Sequence, residues 1–270
     1  MHLRRWITAL VVLPLLLLIL LKGGHLSFVL LLLVINGLGL WEFLTMFQPG
    51  SDAPRRLKAV ILGSMLLISF CTASRGGGSG TLFVLVFCLL ALFLFYLFSY
   101  GHISHLGWDL AVNVLGLLYL PMLLGHFIWL RYLPEGEWWV LWLLSVIFAG
   151  DTAAFYCGRT WGKKKLYPQV SPGKTWTGAL GGLTFSLAAG IGVGRWILPG
   201  VNSLGLGWLA LVLGVLGLFG DLFESMLKRQ VQVKDAGMVL PGHGGILDRL
   251  DSLLFAAPTV VYVRLFLFGA

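Results

Sequence analysis

The chain has 270 residues, of which 58% are hydrophobic and 11% are charged, and its mean hydropathy is +0.91. That composition leaves too little polar surface to cover a water-soluble fold of this size, which excludes a soluble globular protein. The formal net charge of +8 would suit nucleic acid, but the basic residues lie in short segments between apolar runs, close to anionic lipid headgroups. We therefore expect membrane lipids, and no nucleic acid, as partners.

Apolar runs long enough to cross the hydrocarbon core of a membrane recur along the whole chain. A transmembrane helix needs about 17 to 25 such residues, and roughly nine runs come close to that length. We therefore predict an all-α, polytopic integral membrane protein of about nine transmembrane helices. No small-x-small cleavage site follows the first run, so we predict that this run is retained. The predicted spans are residues 6 to 21, 26 to 47, 59 to 74, 81 to 99, 108 to 130, 138 to 157, 175 to 198, 207 to 227 and 246 to 268.

Basic residues between the apolar runs indicate the orientation of the chain. The N-terminus and the connectors 48 to 58, 158 to 174 and 228 to 245 together hold 13 of the 19 Lys and Arg residues. Because cytoplasmic loops carry an excess of Lys and Arg, we predict that these four segments face the cytoplasm. With an odd number of spans, the C-terminus then faces the opposite side.

Residues 1 to 140 contain two isolated acidic residues within predicted spans, Glu42 and Asp109. A carboxylate that faced lipid would cost several kcal/mol, so each is either a functional group or a structural one. In the structural interpretation, each pairs with a polar side chain inside the bundle, such as Asn36 or Asn113. We predict that this part of the chain is a scaffold that faces lipid or forms a dimer.

Residues 141 to 270 concentrate carboxylates at two helix ends, and we predict that they form the catalytic transmembrane region with cytoplasmic loops. Asp221 and Glu224 share one face of a helix, since residues three apart lie on the same side. Asp248 and Asp251 share a face of the next helix for the same reason. The connector between these helices has only about 20 residues, so the two carboxylate pairs are expected to meet near the cytoplasmic surface.

Four converging carboxylates repel one another unless positive charge lies among them. A divalent cation is the simplest solution, and Mg²⁺ suits carboxylate oxygens and substrate phosphates at a water-accessible site. The alternative is a lattice of ion pairs with the neighbouring basic side chains, namely Lys228, Arg229, Lys234 and Arg249.

Two segments rich in glycine, proline and hydroxyl groups suit phosphate. Residues 241 to 245 contain three glycines, which let the backbone approach a ligand and present N–H groups to anionic oxygens. Within this segment His243 either binds phosphate or moves a proton, or is simply exposed. The second segment forms a tight turn around three candidate ligand contacts, Ser171, Lys174 and Thr175. The lysine run at 163 to 165 is expected to contact headgroups or to set the topology.

One long motif in the second half of the chain consists of four short segments. They are Ser225-Met226-Leu227-Lys228-Arg229, Lys234-Asp235, Leu240-Pro241-Gly242-His243-Gly244-Gly245 and Asp248-Arg249-Leu250-Asp251. Together they resemble the signature of phosphatidate cytidylyltransferases, also called CDP-diacylglycerol synthases, and at about 27 positions the pattern is too long for chance agreement. Residues 150 to 152 and 171 to 176 resemble other recurrent stretches of that family, whereas residues 1 to 140 match only as generic helices.

The resemblance implies an enzyme of phospholipid biosynthesis that transfers CMP from CTP to phosphatidate, giving CDP-diacylglycerol and pyrophosphate, with Mg²⁺ as its cofactor. It implies a multi-pass protein of a bacterial inner (cytoplasmic) membrane, with the N-terminus and the active site facing the cytoplasm. It is also compatible with a homodimer. The alternative is a CTP-dependent polyprenol or phytol kinase, which would likewise need cytosolic nucleotide and Mg²⁺.

Expected residue roles combine this motif with the distribution of charge. The expected metal ligands are Asp221, Asp248, Asp251, Asp151 and Glu224. The residues expected to act in catalysis are Asp221, Lys228, Arg229, His243, Asp248 and Asp251. Substrate contacts are expected from Ser171, Lys174, Thr175, Lys234, Asp235, Gly244, Gly245 and Arg249.

Overall fold

The computed structural model describes residues 14 to 73, 78 to 237 and 244 to 268. Within these residues eight helices are long and apolar enough to cross a membrane, which confirms the all-α, polytopic membrane fold. These helices correspond to eight of the predicted spans. The first half of the first predicted span, residues 6 to 13, lies outside the described residues, and residues 14 to 22 are helical and are labelled α1.

The remaining elements follow one another with short connections. In chain order they are α2 (Gly24–Phe47), α3 (Ala53–Ala73), α4 (Gly78–Phe98), α5 (Leu106–Leu117), a π-helical turn (Leu118–Met122), α6 (Leu123–Tyr132), α7 (Gly136–Trp161), β1 (Lys165–Tyr167), β2 (Ser171–Thr175), α8 (Trp176–Ile197), α9 (Ser203–Gln230) and α10 (Leu247–Leu267). Helix α5, the π-helical turn and α6 form one continuous span. The π-helical turn contains Pro121, whose ring and missing N–H disturb the regular helical hydrogen bonding.

Helix α3 begins six residues earlier than its predicted span, at Ala53 instead of residue 59. Asp52 stabilises this extra part, since its Oδ1 accepts the N–H of Arg55 at 3.4 Å and pairs with the Arg55 guanidinium at 3.2 Å. Arg and Lys are good helix formers, so these charged turns continue the helix beyond the apolar run. Hydropathy alone therefore places the helix start too late.

The connector predicted at 158 to 174 contains regular structure as well. Helix α7 continues to Trp161, and β1 and β2 then form an antiparallel hairpin. Lys165 lies opposite Thr175 in this hairpin, and the Trp176 N–H donates to the Lys164 carbonyl at 3.0 Å. The segment that holds the predicted phosphate contacts is thus a strand rather than a simple turn.

The chain divides into two compact units. The first comprises Met1–Tyr132 and Asp235–Leu247. Its interior contains fully buried Leu66, Phe70 and Ile128, together with the polar Asn113, which donates to the Tyr96 hydroxyl at 2.9 Å. The second unit comprises Leu133–Lys234 and Asp248–Ala270. The scaffold role predicted for residues 1 to 140 and the catalytic role predicted for residues 141 to 270 remain predictions.

Of the two isolated acids of the first unit, Asp109 contacts a residue named from sequence, through its backbone, whereas Glu42 has a different partner. Asn113 donates to the backbone carbonyl of Asp109 at 2.9 Å. Asn36 donates to the Ser64 hydroxyl at 3.5 Å, while Glu42 accepts the backbone N–H of Leu247 at 3.1 Å. Glu42 is therefore tied to a backbone amide 205 residues later in the chain.

In the second unit, helix α8 packs against its neighbours through a face of small residues. Its buried positions recur every four residues, and the residues are Gly178, Gly182, Ser186, Gly190 and Gly194. Because the residues at these positions are small, helices approach closely here, as is typical of membrane proteins. The Ser186 hydroxyl adds a hydrogen bond to the Val146 carbonyl of α7 at 3.1 Å.

Helices α9 and α10 approach one another in the same way. A Cβ atom on Gly220 would overlap the backbone carbonyl of Asp251, and one on Gly217 would lie 3.4 Å from the Ser252 side chain. Because of this close approach, the α9 backbone beside Asp221 lies against the α10 backbone at Asp251.

Candidate active site

A cavity of about 860 Å³ lies within the second unit. Helices α7, α8, α9 and α10 and the hairpin all contribute to its lining. The lining includes four carboxylates and four basic side chains: Asp151, Asp221, Asp248 and Asp251, and Arg159, Lys165, Lys174 and Arg249. Because these formal charges balance, strongly anionic ligands would need additional positive charge to bind there.

Lys174 and Asp221 form the first ion pair of the cavity. Lys174 extends from β2, and its Nζ lies 2.5 Å from Oδ2 of Asp221 on α9. The Ser225 hydroxyl lies one helical turn further along α9 and donates to Oδ1 of Asp221 at 3.4 Å. Thr175, next to Lys174, is buried and caps α8, because its hydroxyl oxygen accepts the Gly178 N–H at 3.1 Å. The cap that Thr175 forms on α8 therefore helps to fix the position of Lys174, its neighbour in β2.

Lys228 forms a second ion pair that joins α9 to α10. Its Nζ lies 2.6 Å from Oδ1 of Asp248 and 3.3 Å from Oε1 of Glu224, one turn earlier on α9. Glu224 is fully buried, so its interaction with Lys228 is shielded from solvent. The lysine at this position thus compensates two carboxylates at once.

Asp251 and Asp151 complete the acidic cluster. Asp251 accepts its neighbour's backbone N–H, that of Ser252, at 2.7 Å, and it also interacts with Glu224 and Asp221. Asp151 on α7 interacts with the Ser252 side chain and with the charges of Asp221 and Asp251. Carboxylates from three helices therefore converge, as the residue spacing predicts for two of those helices.

The donor set suits Mg²⁺. Among residues 14 to 73, 78 to 237 and 244 to 268, no three His, Cys, Asp or Glu side chains are already arranged around one ion position. Mg²⁺ commonly binds through one or two carboxylates together with waters and substrate phosphates, so a three-residue group is not required. Asp221 and Asp251 both line the cavity, and the α9 backbone beside Asp221 lies against the α10 backbone at Asp251, so this pair is suited to hold such an ion.

The residues predicted to contact substrate, and two of those predicted to act in catalysis, Arg229 and His243, have different locations. Ser171, Lys174, Thr175 and Arg249 line the cavity. Arg229 instead supports the segment between the strands, since its Nε donates to the Val170 carbonyl at 3.3 Å. Lys234 is exposed in the second unit, whereas Asp235, Gly244 and Gly245 belong to the first, and His243 lies outside the described residues.

Four polar or charged side chains of the cavity are not among the predicted site residues. They are Arg159 and Lys165, for which the sequence predicts roles in topology and headgroup contact, and Ser186 and Ser252. A signal for Arg159 was present, because Gly150, Ala154 and Gly158 precede it at four-residue spacing on α7. That spacing indicates a closely packed helix face, and the face leads to the cavity.

These features define the class of this protein: it is a polytopic, all-α membrane protein with a charged cavity suited to phosphate-bearing ligands. The model of the Cytidylyltransferase family matches residues 3–267, and the chain belongs to this family. The phosphatidate cytidylyltransferase of Bacillus subtilis (strain 168) is 31% identical to it over 258 residues, covering 89% of this chain and 89% of the relative.

Two further relatives show how the similarity is distributed. The phosphatidate cytidylyltransferase of Synechocystis sp. is 32% identical over 288 aligned positions, covering 96% of this chain and 95% of the relative. That of Brucella suis biovar 1 is 43% identical over 137 residues, covering 51% of this chain. In that alignment the chain spans about half of the relative's length, 48%.

Proposed function

We propose that this protein is a phosphatidate cytidylyltransferase, which transfers CMP from CTP to phosphatidate and releases pyrophosphate. One observation carries the proposal: four carboxylates and four basic side chains line a single cavity of about 860 Å³. The family membership gives the reaction class that such a cavity would serve. Relatives that carry this name align with almost the whole chain, which supports the choice of substrates.

The proposed reaction is a direct displacement. A non-bridging phosphate oxygen of phosphatidate forms a bond to the α-phosphorus of CTP, and the bond from that phosphorus to the oxygen shared with the β-phosphate breaks. The oxygen leaves with pyrophosphate, so no covalent enzyme intermediate is required. Both reactants are anionic, so the protein must chiefly align them and reduce their repulsion. Lys174, Arg159 and Arg249 line the cavity and suit that task.

Mg²⁺ is part of the proposal. Asp221 and Asp251 would hold it, assisted by Asp151 and Asp248, which also line the cavity. When bound, the ion would neutralise charge on the transferring phosphate and on the leaving group. Lys174 and Lys228 balance the carboxylates in the arrangement described here, and their ammonium groups are equally suited to phosphate oxygens.

We further propose that the cavity faces the cytoplasm of a bacterial inner membrane. The concentration of Lys and Arg in three connectors and the N-terminus supports this orientation. Phosphatidate could then keep its acyl chains in lipid while its headgroup meets CTP from solution. A cysteine introduced at the exposed Lys234 should react with a membrane-impermeant maleimide only from the cytoplasmic side. Labelling from the opposite side would contradict the orientation.

The direct test supplies purified protein with phosphatidate, CTP and Mg²⁺, and identifies the products by mass spectrometry. We expect CDP-diacylglycerol and pyrophosphate in equal amounts, and no product when EDTA removes the metal. A parallel reaction with polyprenol or phytol tests the kinase alternative. The appearance of CDP and a phosphorylated alcohol would replace the proposed transfer of CMP by a transfer of phosphate.

A further inference from the structure

Glu42 is a buried acid in α2 that belongs to none of the motifs of the second half of the chain. Only 4% of its surface is exposed, and its Oε2 accepts the backbone N–H of Leu247 at 3.1 Å. Leu247 is the first residue of α10. Its amide is one of the N–H groups at a helix start that have no partner within the helix, so Glu42 satisfies a donor that α10 itself cannot.

A second contact ties Glu42 to the connector before α10. The backbone of Gly237 packs so closely on this side chain that a Cβ atom there would overlap the Glu42 carboxylate. Gly244, three residues before Leu247, has a positive φ of 84°, a conformation that glycine adopts without strain. Glu42 thus contacts the chain on both sides of this segment, at Gly237 in the connector and at Leu247 in α10.

We propose that Glu42 is a positioning residue for the transfer reaction, acting by anchoring the first turn of α10. The proposal rests on the proposed function. Asp248 and Asp251 are the second and fifth residues of α10, so the residue that fixes where this helix begins also fixes where they project. A carboxylate beside the positive end of the helix dipole is favourable, and no basic side chain is needed for this role.

The first experiment compares Glu42→Leu with Glu42→Gln. Leucine removes the acceptor at similar volume, and we expect kcat to fall about 100-fold, because a displacement of about 1 Å at reacting groups has effects of that size. Glutamine keeps an acceptor oxygen and loses only the charge, so kcat should stay within about ten-fold of the wild type. The KM for CTP should change less than kcat in both variants, since the cavity side chains of α8 and β2 are unaltered.

Asn36→Leu is the matched control. Asn36 is a fully buried polar residue of the same helix, and its side chain donates a hydrogen bond to the Ser64 hydroxyl of α3. We expect this variant to lower the melting temperature in detergent with kcat of the folded enzyme nearly unchanged. Equal losses of kcat in Asn36→Leu and Glu42→Leu would reduce Glu42 to a general stabilising residue and overturn the proposal.

Gly237→Ala offers a route that leaves Glu42 itself intact. The added methyl group should displace the carboxylate and lower kcat in the wild-type background. In the Glu42→Ala background the clashing atoms are gone, so Gly237→Ala should have little further effect. Independent, additive losses in this double-mutant cycle would show that Gly237 and Glu42 do not act through one contact.

Hydrogen exchange separates the anchoring role from the identity of the reaction. Peptides covering residues 246 to 252 should exchange faster in Glu42→Leu than in the wild type, and Glu42→Gln should retain most of the protection. Unchanged exchange in Glu42→Leu would refute the anchor even if activity were lost. If the wild type forms no CDP-diacylglycerol but the exchange result holds, the proposed function fails while the anchoring contact stands.

Discussion

Helices α4 and α8 both have the length and composition of membrane spans, but they use their surfaces differently. The most apolar 18-residue segment of α4 has a mean hydropathy of 2.8, and 22% of that segment is buried. For α8 the corresponding hydropathy is only 1.3, although a similar share, 28%, is buried. The buried residues of α8 are glycines and a serine, whereas α4 exposes large side chains such as Phe83, Phe87 and Phe98.

The comparison shows that hydropathy and packing are separate properties of a membrane helix. High hydropathy in α4 indicates a surface that lipid can cover on nearly every side. Low hydropathy in α8 results from small residues that allow close helix contacts, and such contacts hold charged groups at fixed positions. Substitutions around the cavity should therefore have large effects on catalysis, while those on the outer surface of α4 should have small ones.

The largest effect is expected for Asp251→Asn. The change removes a negative charge from the centre of the acidic cluster while keeping the volume of the side chain, and kcat should fall roughly 1000-fold. Asp109→Asn makes the same chemical change in α5 of the first unit and should keep activity within about two-fold. Steady-state kinetics of both variants at saturating Mg²⁺ would measure the contrast. Full activity of Asp251→Asn would show that Asp251 is not part of the catalytic site.

A smaller loss, of about 100-fold in kcat/KM for CTP, is expected for Lys174→Met. Methionine keeps much of the apolar stem but removes the ammonium group that lies 2.5 Å from Asp221. Lys163→Met, in the same connector, is the control for a general loss of positive charge at the membrane surface. Similar kinetics of the two variants would indicate that Lys174 acts only through surface charge.

Gly220→Ala should act through packing. The added Cβ would overlap the Asp251 carbonyl, so α9 and α10 must separate, at a cost of about 1–3 kcal/mol in unfolding free energy. We expect activity to fall about ten-fold, because Asp251 shifts together with its backbone.

Gly192→Ala in α8 is the matched control, since a Cβ there meets no atom within 4 Å. That variant should be as stable as the wild type or slightly more stable. Denaturation in detergent, followed with the kinetics of both variants, tests this pair.

The positions of the long helices could be predicted from sequence because lipid tolerates only long apolar segments with internally satisfied backbones. The helix ends were less accurate, as α3 shows. Its first two turns carry Arg55, Arg56 and Lys58, and the contacts of Arg55 with Asp52 stabilise the helix start outside the apolar run. Hydropathy reflects contact with lipid, so it does not predict helical turns that lie in the headgroup region.

The candidate site could be predicted where residues are neighbours on one helix. A spacing of three residues places Asp221 with Glu224, and Asp248 with Asp251. The contact of Lys174 with Asp221 joins residues 47 apart through a hairpin that the sequence did not reveal. Arg159 was missed because its place in the lining depends on how α7 packs, and the glycine spacing that controls this packing was not used.

The smallest effect is expected on the outer surface of α4, and two adjacent residues of this helix, one exposed and one buried, provide the contrast. Phe87 is 48% exposed, so Phe87→Leu replaces one apolar surface by another and should change the unfolding free energy by less than about 0.5 kcal/mol. Cys88 is fully buried and its Sγ lies 3.5 Å from the Leu62 carbonyl, so Cys88→Leu overfills the site and should cost about 1–3 kcal/mol. Both variants should keep kcat within about two-fold, because neither residue lines the cavity. Unfolding in detergent and product formation by the folded fraction measure the two quantities separately. A large loss of kcat in Phe87→Leu at unchanged stability would give the α4 surface a part in catalysis that its packing does not suggest.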